Sequence, residues 1–174
     1  MTNPILADWQ TPFGIAPFTM ISDDDFSPAL DQALAAHKAE VEAIRNTTDA
    51  PTFANTIEAQ EAVGEALNKV LSVFFTVAGA DSNPKREELQ REFSPLIAAH
   101  FAEISSDKAL FARVKAVWDQ RDALDLTPEQ DRILMLAYRN FVRSGGALDG
   151  AEEARMKEIK GRLATLGTAF TQNL

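Results

Sequence analysis

Residues 55–78 read NTIEAQEAVGEALNKVLSVFFTVA, and this stretch decides the fold class. Its apolar side chains recur every three or four residues, which is the period of an α-helix and not of a β-strand. They form two stripes, and a helix with two apolar stripes is expected to be buried on most sides. One stripe comprises Ile57, Gly64, Leu67, Leu71, Phe74 and Ala78, and the other comprises Val63, Val70, Val73 and Val77. We therefore predict one central helix in an all-α fold.

The same periodicity predicts further helices, about six in all, which would pack as an irregular bundle. Their starts are marked by a polar capping residue, often followed by proline, which tolerates the first helical position. The first predicted helix ends near Asn46, and the fifth ends at Gly145 and Gly146. The predicted starts are Ser27-Pro28, Asn83-Pro84, Asp107, Thr127-Pro128 and a position near Gly150.

Two of these helices carry a special expectation. Pro95 lies inside the third, so we expect a kink or a split there, with Ser94 as a second cap. The apolar pattern of the last helix runs up to Leu174, with no glycine, proline or cap that would mark its end. That pattern predicts a chain cut through a helix or just after it, with a frayed natural end as the alternative. Its stripe, which could pair two copies of the chain, comprises Met156, Ile159, Leu163, Leu166 and Phe170.

Residues 1–25 differ from the helical residues 26–174. This segment is rich in aromatic residues and interrupted by prolines, so it is predicted to be an extended strap. Such a strap is expected to lie across the helical body and to bury its aromatic rings there. The rings belong to Trp9, Phe13 and Phe18.

Composition excludes several classes of protein. The chain has no cysteine, which rules out disulfides, cysteine-ligated metals and cysteine nucleophiles. The net charge is −9 and the basic residues are dispersed, so neither a nucleic acid nor an anionic membrane is an expected partner. Residues 1–9 lack the basic and apolar regions of a signal peptide, and the apolar run 70–80 is half a membrane span. A cytoplasmic location is expected.

The two histidines are the only candidates for local chemistry. His37 and Glu40 have the spacing His-x-x-Glu, and so do His100 and Glu103. That spacing places the imidazole and the carboxylate on one helix face, and two such pairs could build a metal site. Both histidines lie within apolar stripes, however, where a histidine usually serves packing. We therefore assign no catalytic, cofactor-binding or metal-binding residue in this chain.

Other polar and aromatic groups have simpler interpretations. No His-Glu-x-x-His zinc motif, Gly-x-Ser-x-Gly elbow or phosphate loop occurs in the sequence. The carboxylates at 23–25 and at Glu87-Glu88 suit helix N-termini, where the helix dipole favours negative charge. Phe74, Phe75 and Trp118 are expected to be core residues, although they could line a groove.

The order of segments resembles the M3 family of zinc metallopeptidases, the thimet-oligopeptidase-like enzymes, at their N-terminal end. The segment 51–57, PTFANTI, is close to the family pattern P-x-F-x-N-T-I and is the most specific match. Within the family, Val70–Phe75 and Leu110–Trp118 look most like the bacterial peptidyl-dipeptidases, followed by oligopeptidase A. Further matches lie at Asn3-Pro4, Trp9–Phe18, Phe26–Leu30, His37–Ile44, Glu92–His100, Phe141–Leu148 and Leu163–Asn173.

The resemblance implies a larger, mostly helical, bivalve-shaped enzyme that cleaves short unstructured peptides and, as a peptidyl-dipeptidase, releases dipeptides from their C-termini. Zinc is held in such enzymes by His-Glu-x-x-His and a downstream Glu, all in the C-terminal half. No catalytic residue can be carried over to this chain, which would form part of the channel wall and be inactive alone. Two alternatives remain open: a free-standing helical interaction module, and a metal-binding bundle that uses His37, Glu40, His100 and Glu103.

Overall fold

The computed structural model describes residues 3–171, except for the side chains at positions 157, 160, 161, 164, 165 and 167–171. Among these residues every regular element is helical, so the predicted all-α fold is confirmed. The helices are α1 (Phe26–Arg45), α2 (Ala59–Ala62), α3 (Glu65–Ala80), α4 (Pro84–Ser105), α5 (Lys108–Asp119), α6 (Pro128–Arg143) and α7 (Gly150–Thr171). Short 3₁₀ turns lie at Pro12–Gly14, Phe18–Met20, Asp23–Asp25 and Arg121–Ala123, and a π-helical turn spans Phe53–Glu58.

The chain divides into two compact units between Ile104 and Ser105. The first contains the strap and nearly all of α1–α4, and the second contains α5–α7. The division predicted at residue 25 stays a prediction.

The first unit is held together by a core between α1 and α3. Phe74 of α3 lies at its centre, with its ring 5.1 Å from that of Phe26 and 4.8 Å from that of Phe93. Such ring pairs add to the free energy gained from burial alone. The buried core comprises Ile5, Phe26, Ala29, Leu30, Ala33, Leu67, Val70, Val73, Phe74, Leu89 and Phe93.

The stretch 55–78 is not one helix, which corrects the prediction of a single central helix. Val63 has an extended backbone and Gly64 has a φ of +84°, so the helix ends at Ala62 and α3 starts at Glu65. The left-handed conformation at position 64 suits glycine because glycine has no Cβ. The sequence signal for this break is Gly64 itself. The periodic pattern includes Gly64 in an apolar stripe and therefore predicts a continuous helix.

The stretch Phe53–Ala80 is long and apolar enough to cross a membrane when judged by length and composition alone. The break at Val63 and Gly64 interrupts it. Its apolar residues Leu67, Val70, Val73 and Phe74 are buried in the protein core. Packing within the first unit therefore accounts for the apolar face of α3.

Capping chemistry correctly located three of the predicted helix starts. Asn83 Oδ1 accepts a hydrogen bond from the Arg86 amide at 2.8 Å, and Asp107 Oδ1 accepts one from the Leu110 amide at 2.9 Å. Thr127 and Gln130 form a reciprocal capping box at the start of α6. The left-handed Gly145, with a φ of +92°, follows the end of α6 as expected.

Two capping predictions were wrong. The turn that leads into α1 is closed by Ser22, whose amide and hydroxyl both donate to the Asp25 carboxylate at 2.7 Å, and not by Ser27. Helix α4 is continuous through Pro95, and Ser94 is not a cap. The Ser94 hydroxyl instead donates to the Gln90 carbonyl at 2.7 Å, within the same helix. Local side-chain hydrogen bonding of this kind is a known alternative to capping.

The strap is less buried than the sequence predicted. Ile5 is buried in the core and Trp9 is half-buried, but the Phe13 side chain is 100% exposed and that of Phe18 is 44% exposed. Phe13 has a φ of 60°, a conformation that few non-glycine residues adopt. The strap is therefore anchored by an aliphatic residue near its start, and its later aromatic rings face solvent.

The second unit has its core between α5 and α6. Phe111 and Phe141 stack with their ring centroids 5.7 Å apart. Trp118, which the sequence predicted to be a core residue, is half-buried: it stacks on Tyr138 at 4.6 Å, with the Arg121 guanidinium 4.2 Å from its ring centroid. The buried apolar residues of this unit are Leu110, Phe111, Val114, Val117, Leu134 and Phe141.

Three residues of the predicted α7 stripe are exposed to solvent. Ile159 is 40% exposed, Leu163 is 62% exposed and Leu166 is 54% exposed. Met156 is partly buried. The Phe170 side chain and residues 172–174 lie outside the described residues, as do the expectations about them.

Candidate functional site

The fold brings together the two histidines that the sequence identified. His37 of α1 and His100 of α4 approach each other, with His37 Nδ1 and His100 Nε2 separated by 2.9 Å. His100 is only 9% exposed. One imidazole donates and the other accepts, and this contact links α1 and α4 through two residues that are 63 positions apart in sequence.

The two carboxylates of the His-x-x-Glu pairs do not complete a metal site. Glu40 Oε2 accepts a hydrogen bond from the Gly64 amide at 2.8 Å. Glu103 Oε1 forms an ion pair with Lys38 Nζ at 2.7 Å. Each carboxylate therefore serves a structural contact next to the histidine pair.

Gly64 explains why the His37 ring can occupy its position. A Cβ placed on Gly64 would lie 3.2 Å from both Cδ2 and Nε2 of His37, which is closer than ordinary packing. The His37 ring thus packs over a backbone position that has no side chain. The break between α2 and α3 at Gly64, the hydrogen bond of Glu40 and the histidine pair form one local cluster. We call this cluster the histidine clasp: His37, Glu40, Gly64 and His100.

Burial favours the neutral form of both histidines. It is the largest effect that lowers the pKa of His37, with a further lowering from His100 and an opposing effect from Glu40. Burial also lowers the pKa of His100, where Glu103 opposes the shift and Lys38 adds to it. Neutral imidazoles suit a hydrogen-bonded pair, because two protonated rings would have no acceptor between them.

The histidine clasp does not supply the ligands that the zinc ion implied by the resemblance would need. Within the described part of the chain, no group of three or more His, Asp or Glu side chains could hold a metal ion. Structural zinc sites need four protein ligands and catalytic sites need three. The clasp can hold α1 and α4 together around Gly64, but it does not assemble a nucleophile, base or metal centre.

A second feature of the first unit was not anticipated from the sequence. An open groove of about 610 Å³ lies between the strap and α3. Apolar groups from the strap and Val73 of α3 contribute to its lining, together with the carboxylates of Asp8 and Glu65. The sequence identifies the aromatic strap, but it does not identify α3 as the element on the other side of the groove. We call this feature the strap groove: Asp8, Trp9, Gly14, Ile15, Ala16, Phe18, Glu65, Asn68, Lys69, Ser72, Val73 and Thr76.

The sequence of this chain is similar to those of curated peptidases. The chain is 38% identical over 173 residues to a dipeptidyl carboxypeptidase of Salmonella typhimurium, and 36% identical over 172 residues to that of Escherichia coli. It is 25% identical over 174 residues to oligopeptidase A of Escherichia coli. The resemblance to the N-terminal region of an M3 peptidase is confirmed. No protein-family model matches the chain.

The matches cover nearly all of this chain but only part of each peptidase. The match to the Salmonella protein covers 99% of this chain but only 25% of that protein, so the chain spans one quarter of such a relative's length. The predicted order also holds, since dipeptidyl carboxypeptidases match at higher identity than oligopeptidase A. The histidine clasp and the strap groove both lie within the matched region.

Proposed function

We propose that this chain is the N-terminal, channel-lining part of a zinc-dependent peptidase that cleaves short peptides and releases dipeptides from their C-termini. The observation that carries the proposal is the 38% identity to a dipeptidyl carboxypeptidase along 99% of the chain. The lower identity to oligopeptidase A favours the dipeptide-releasing type over the oligopeptidase type.

In this proposal the chain has a structural role in the peptidase and supplies no catalytic group. When bound elsewhere in the longer protein, zinc would polarise the peptide carbonyl and activate water. The role of this chain would be to form a rigid helical wall that restricts entry to short peptides. The core around Phe74 and the histidine clasp would give that wall its rigidity.

The test begins with the gene that encodes this chain. Its reading frame beyond Leu174 is expected to encode a His-Glu-x-x-His motif and a downstream glutamate. The longer protein should release C-terminal dipeptides from blocked tetrapeptides, and a chelator should abolish this release. Residues 1–174 alone should release none under the same conditions.

Two outcomes would overturn the proposal. A frame without a zinc motif would support the helical interaction module instead. Chelator-sensitive hydrolysis by pure residues 1–174 would show that the chemistry lies in this chain. A mass-spectrometric product assay distinguishes dipeptide release from internal cleavage, and so distinguishes the two peptidase types.

A further inference from the structure

The strap groove has an apolar surface that is fixed in position. Trp9 is held there because its indole Nε1 donates to the Pro4 carbonyl at 3.0 Å. Val73 of α3 is buried in the core at one side, and Ile15 and Phe18 of the strap keep large exposed areas. An apolar surface beside a few convergent polar groups is the usual character of a ligand-binding groove.

The loop next to the groove displays an unusual aromatic residue. Phe13 combines a positive φ of 60° with a side chain that is 100% exposed. The left-handed backbone is unfavourable for a residue with a Cβ. Neither the strain nor the exposure improves the packing of the first unit. Observed strain of this kind supports a hypothesis of function.

The polar lining of the groove carries unbalanced negative charge. Asp8 and Glu65 are both exposed, and within the described chain neither has a hydrogen-bond or ion-pair partner. Lys69 is the one cation that lines the groove. Its Nζ donates to the Ala7 carbonyl at 2.7 Å and lies 4.2 Å from the centroid of the Trp9 ring, and it forms no ion pair with either carboxylate. The groove is thus complementary to a ligand that carries positive charge.

The size of the groove suits a short peptide. Its volume of about 610 Å³ is in the range of roughly 300–1,000 Å³ that is typical of small-ligand pockets. A dipeptide with one aromatic and one basic side chain could cover the apolar surface and reach the carboxylates. The side-chain amide of Asn68, on the exposed face of α3, offers a donor and an acceptor to the peptide backbone.

We propose that the strap groove binds short peptides in which a cationic side chain lies next to an aromatic or aliphatic one. The choice of a peptide as the ligand rests on the proposed function. The preference for positive charge rests on Asp8 and Glu65. The groove would enrich basic, apolar peptides on the protein.

Tryptophan fluorescence can test this directly, because the chain has two tryptophans and only Trp9 lines the groove. In the Trp118→Phe chain, Trp9 becomes the sole tryptophan. We expect acetyl-Phe-Arg-amide to change its emission saturably and acetyl-Phe-Glu-amide to bind roughly tenfold more weakly, as expected for loss of attraction to two exposed carboxylates.

The double variant Asp8→Asn/Glu65→Gln should weaken binding of the arginine peptide by about five- to tenfold, with little effect on acetyl-Phe-Gln-amide. The matched control is Asp31→Asn/Glu61→Gln. It removes the same charge from exposed positions that do not line the groove. Backbone amide shifts in a ¹H–¹⁵N spectrum should identify the groove residues as the site of contact.

The proposal is overturned if the three peptides bind equally, if none binds at millimolar concentration, or if the shifted amides lie away from the strap and α3. These results do not depend on hydrolysis. Binding without peptidase activity in the longer protein would contradict only the proposed function. An active longer protein with an empty groove would contradict only the groove proposal.

Discussion

At the scale of single residues, Gly64 is the position where the fold depends most visibly on one amino acid. Replacement by alanine places a Cβ 3.2 Å from the His37 ring and forces a residue with a side chain into a φ of +84°. We expect Gly64→Ala to lower the free energy of unfolding by about 1–3 kcal/mol, because strain and crowding add. Urea denaturation followed by circular dichroism measures this change.

Gly79→Ala is the matched control. Gly79 lies in α3, and a Cβ there would meet nothing within 4 Å. Alanine should be neutral there, or stabilising by up to about 1 kcal/mol, since it has the higher helix propensity. If Gly64→Ala proved no more destabilising than Gly79→Ala, the histidine clasp would not be the tight cluster described above.

The histidine clasp also predicts a dependence of stability on pH. Burial lowers the pKa of His37 and His100 below the ordinary value of 6.5, so the folded state binds fewer protons than the unfolded state. The stabilisation is complete above pH 6.5 and is lost as the pH falls through the lowered pKa values. The charged groups that face the pair are Lys38 and Glu103, with Glu40 beside them.

Urea midpoints measured between about pH 7 and about pH 5, where most carboxylates stay ionised, should therefore decrease with decreasing pH. The reference is His37→Gln/His100→Gln, in which two amides can still share a hydrogen bond but cannot titrate. Its midpoint should change less over the same interval. Parallel curves for the two proteins would exclude the clasp as the titrating unit.

At the scale of elements, α3 shows how neighbouring residues of one type can have opposite roles. Phe74 is 0% exposed and its ring contacts those of Phe26, Phe75 and Phe93, whereas Phe75 is 42% exposed. We expect Phe74→Ala to cost about 3–5 kcal/mol, because it removes buried area and leaves a cavity. Phe75→Ala should cost less than about 1 kcal/mol, as is usual for surface substitutions.

The two alanine variants share the same helix and the same local sequence, so helix propensity cancels in their comparison. Thermal or urea unfolding of both gives the difference. Equal costs would mean that α3 presents a different face to the core. The expectation from sequence that both rings are core residues is correct for Phe74 and wrong for Phe75.

Helix starts could be predicted where the signal is local. Asn83, Asp107 and Thr127 each cap the helix that follows, because the capping hydrogen bond involves only four consecutive residues. The same reasoning failed at Ser27 and Ser94. Helix α1 begins at Phe26, two residues before Pro28, after a turn closed by Ser22 and Asp25, and α4 passes through Pro95.

At the scale of the whole molecule, the exposed stripe of α7 predicts self-association of the isolated chain. Ile159, Leu163 and Leu166 are exposed on successive turns of one helix, and such a stripe favours burial against a partner. Sedimentation velocity should show the apparent mass rising with protein concentration. Leu163→Lys should suppress this rise, because association would bury the added charge.

Ala154→Lys is the control for that experiment. It adds the same charge at an exposed position of α7 on the side of the helix away from Leu163. Its association should match that of the unmodified chain. A monomer at all concentrations, or equal suppression by both lysines, would contradict a role for this stripe.

The sequence by itself determined the all-α class, most helix starts and the resemblance to the N-terminal region of M3 peptidases. Periodicity, capping and the pattern at 51–57 all act over short stretches of chain, so they can be read before folding. The sequence also selected His37 and His100, because they are the only histidines and lie on apolar helix faces.

Only the tertiary structure decided what those residues do. The 2.9 Å contact of the histidines depends on how α1 and α4 pack across 63 residues of chain. The break at Gly64, the burial of Phe74 but not Phe75, and the strap groove likewise depend on contacts between distant segments. Such contacts follow from packing and not from local pattern. For this reason, the carboxylates considered as metal ligands have other partners: Glu40 accepts a hydrogen bond from Gly64, and Glu103 pairs with Lys38.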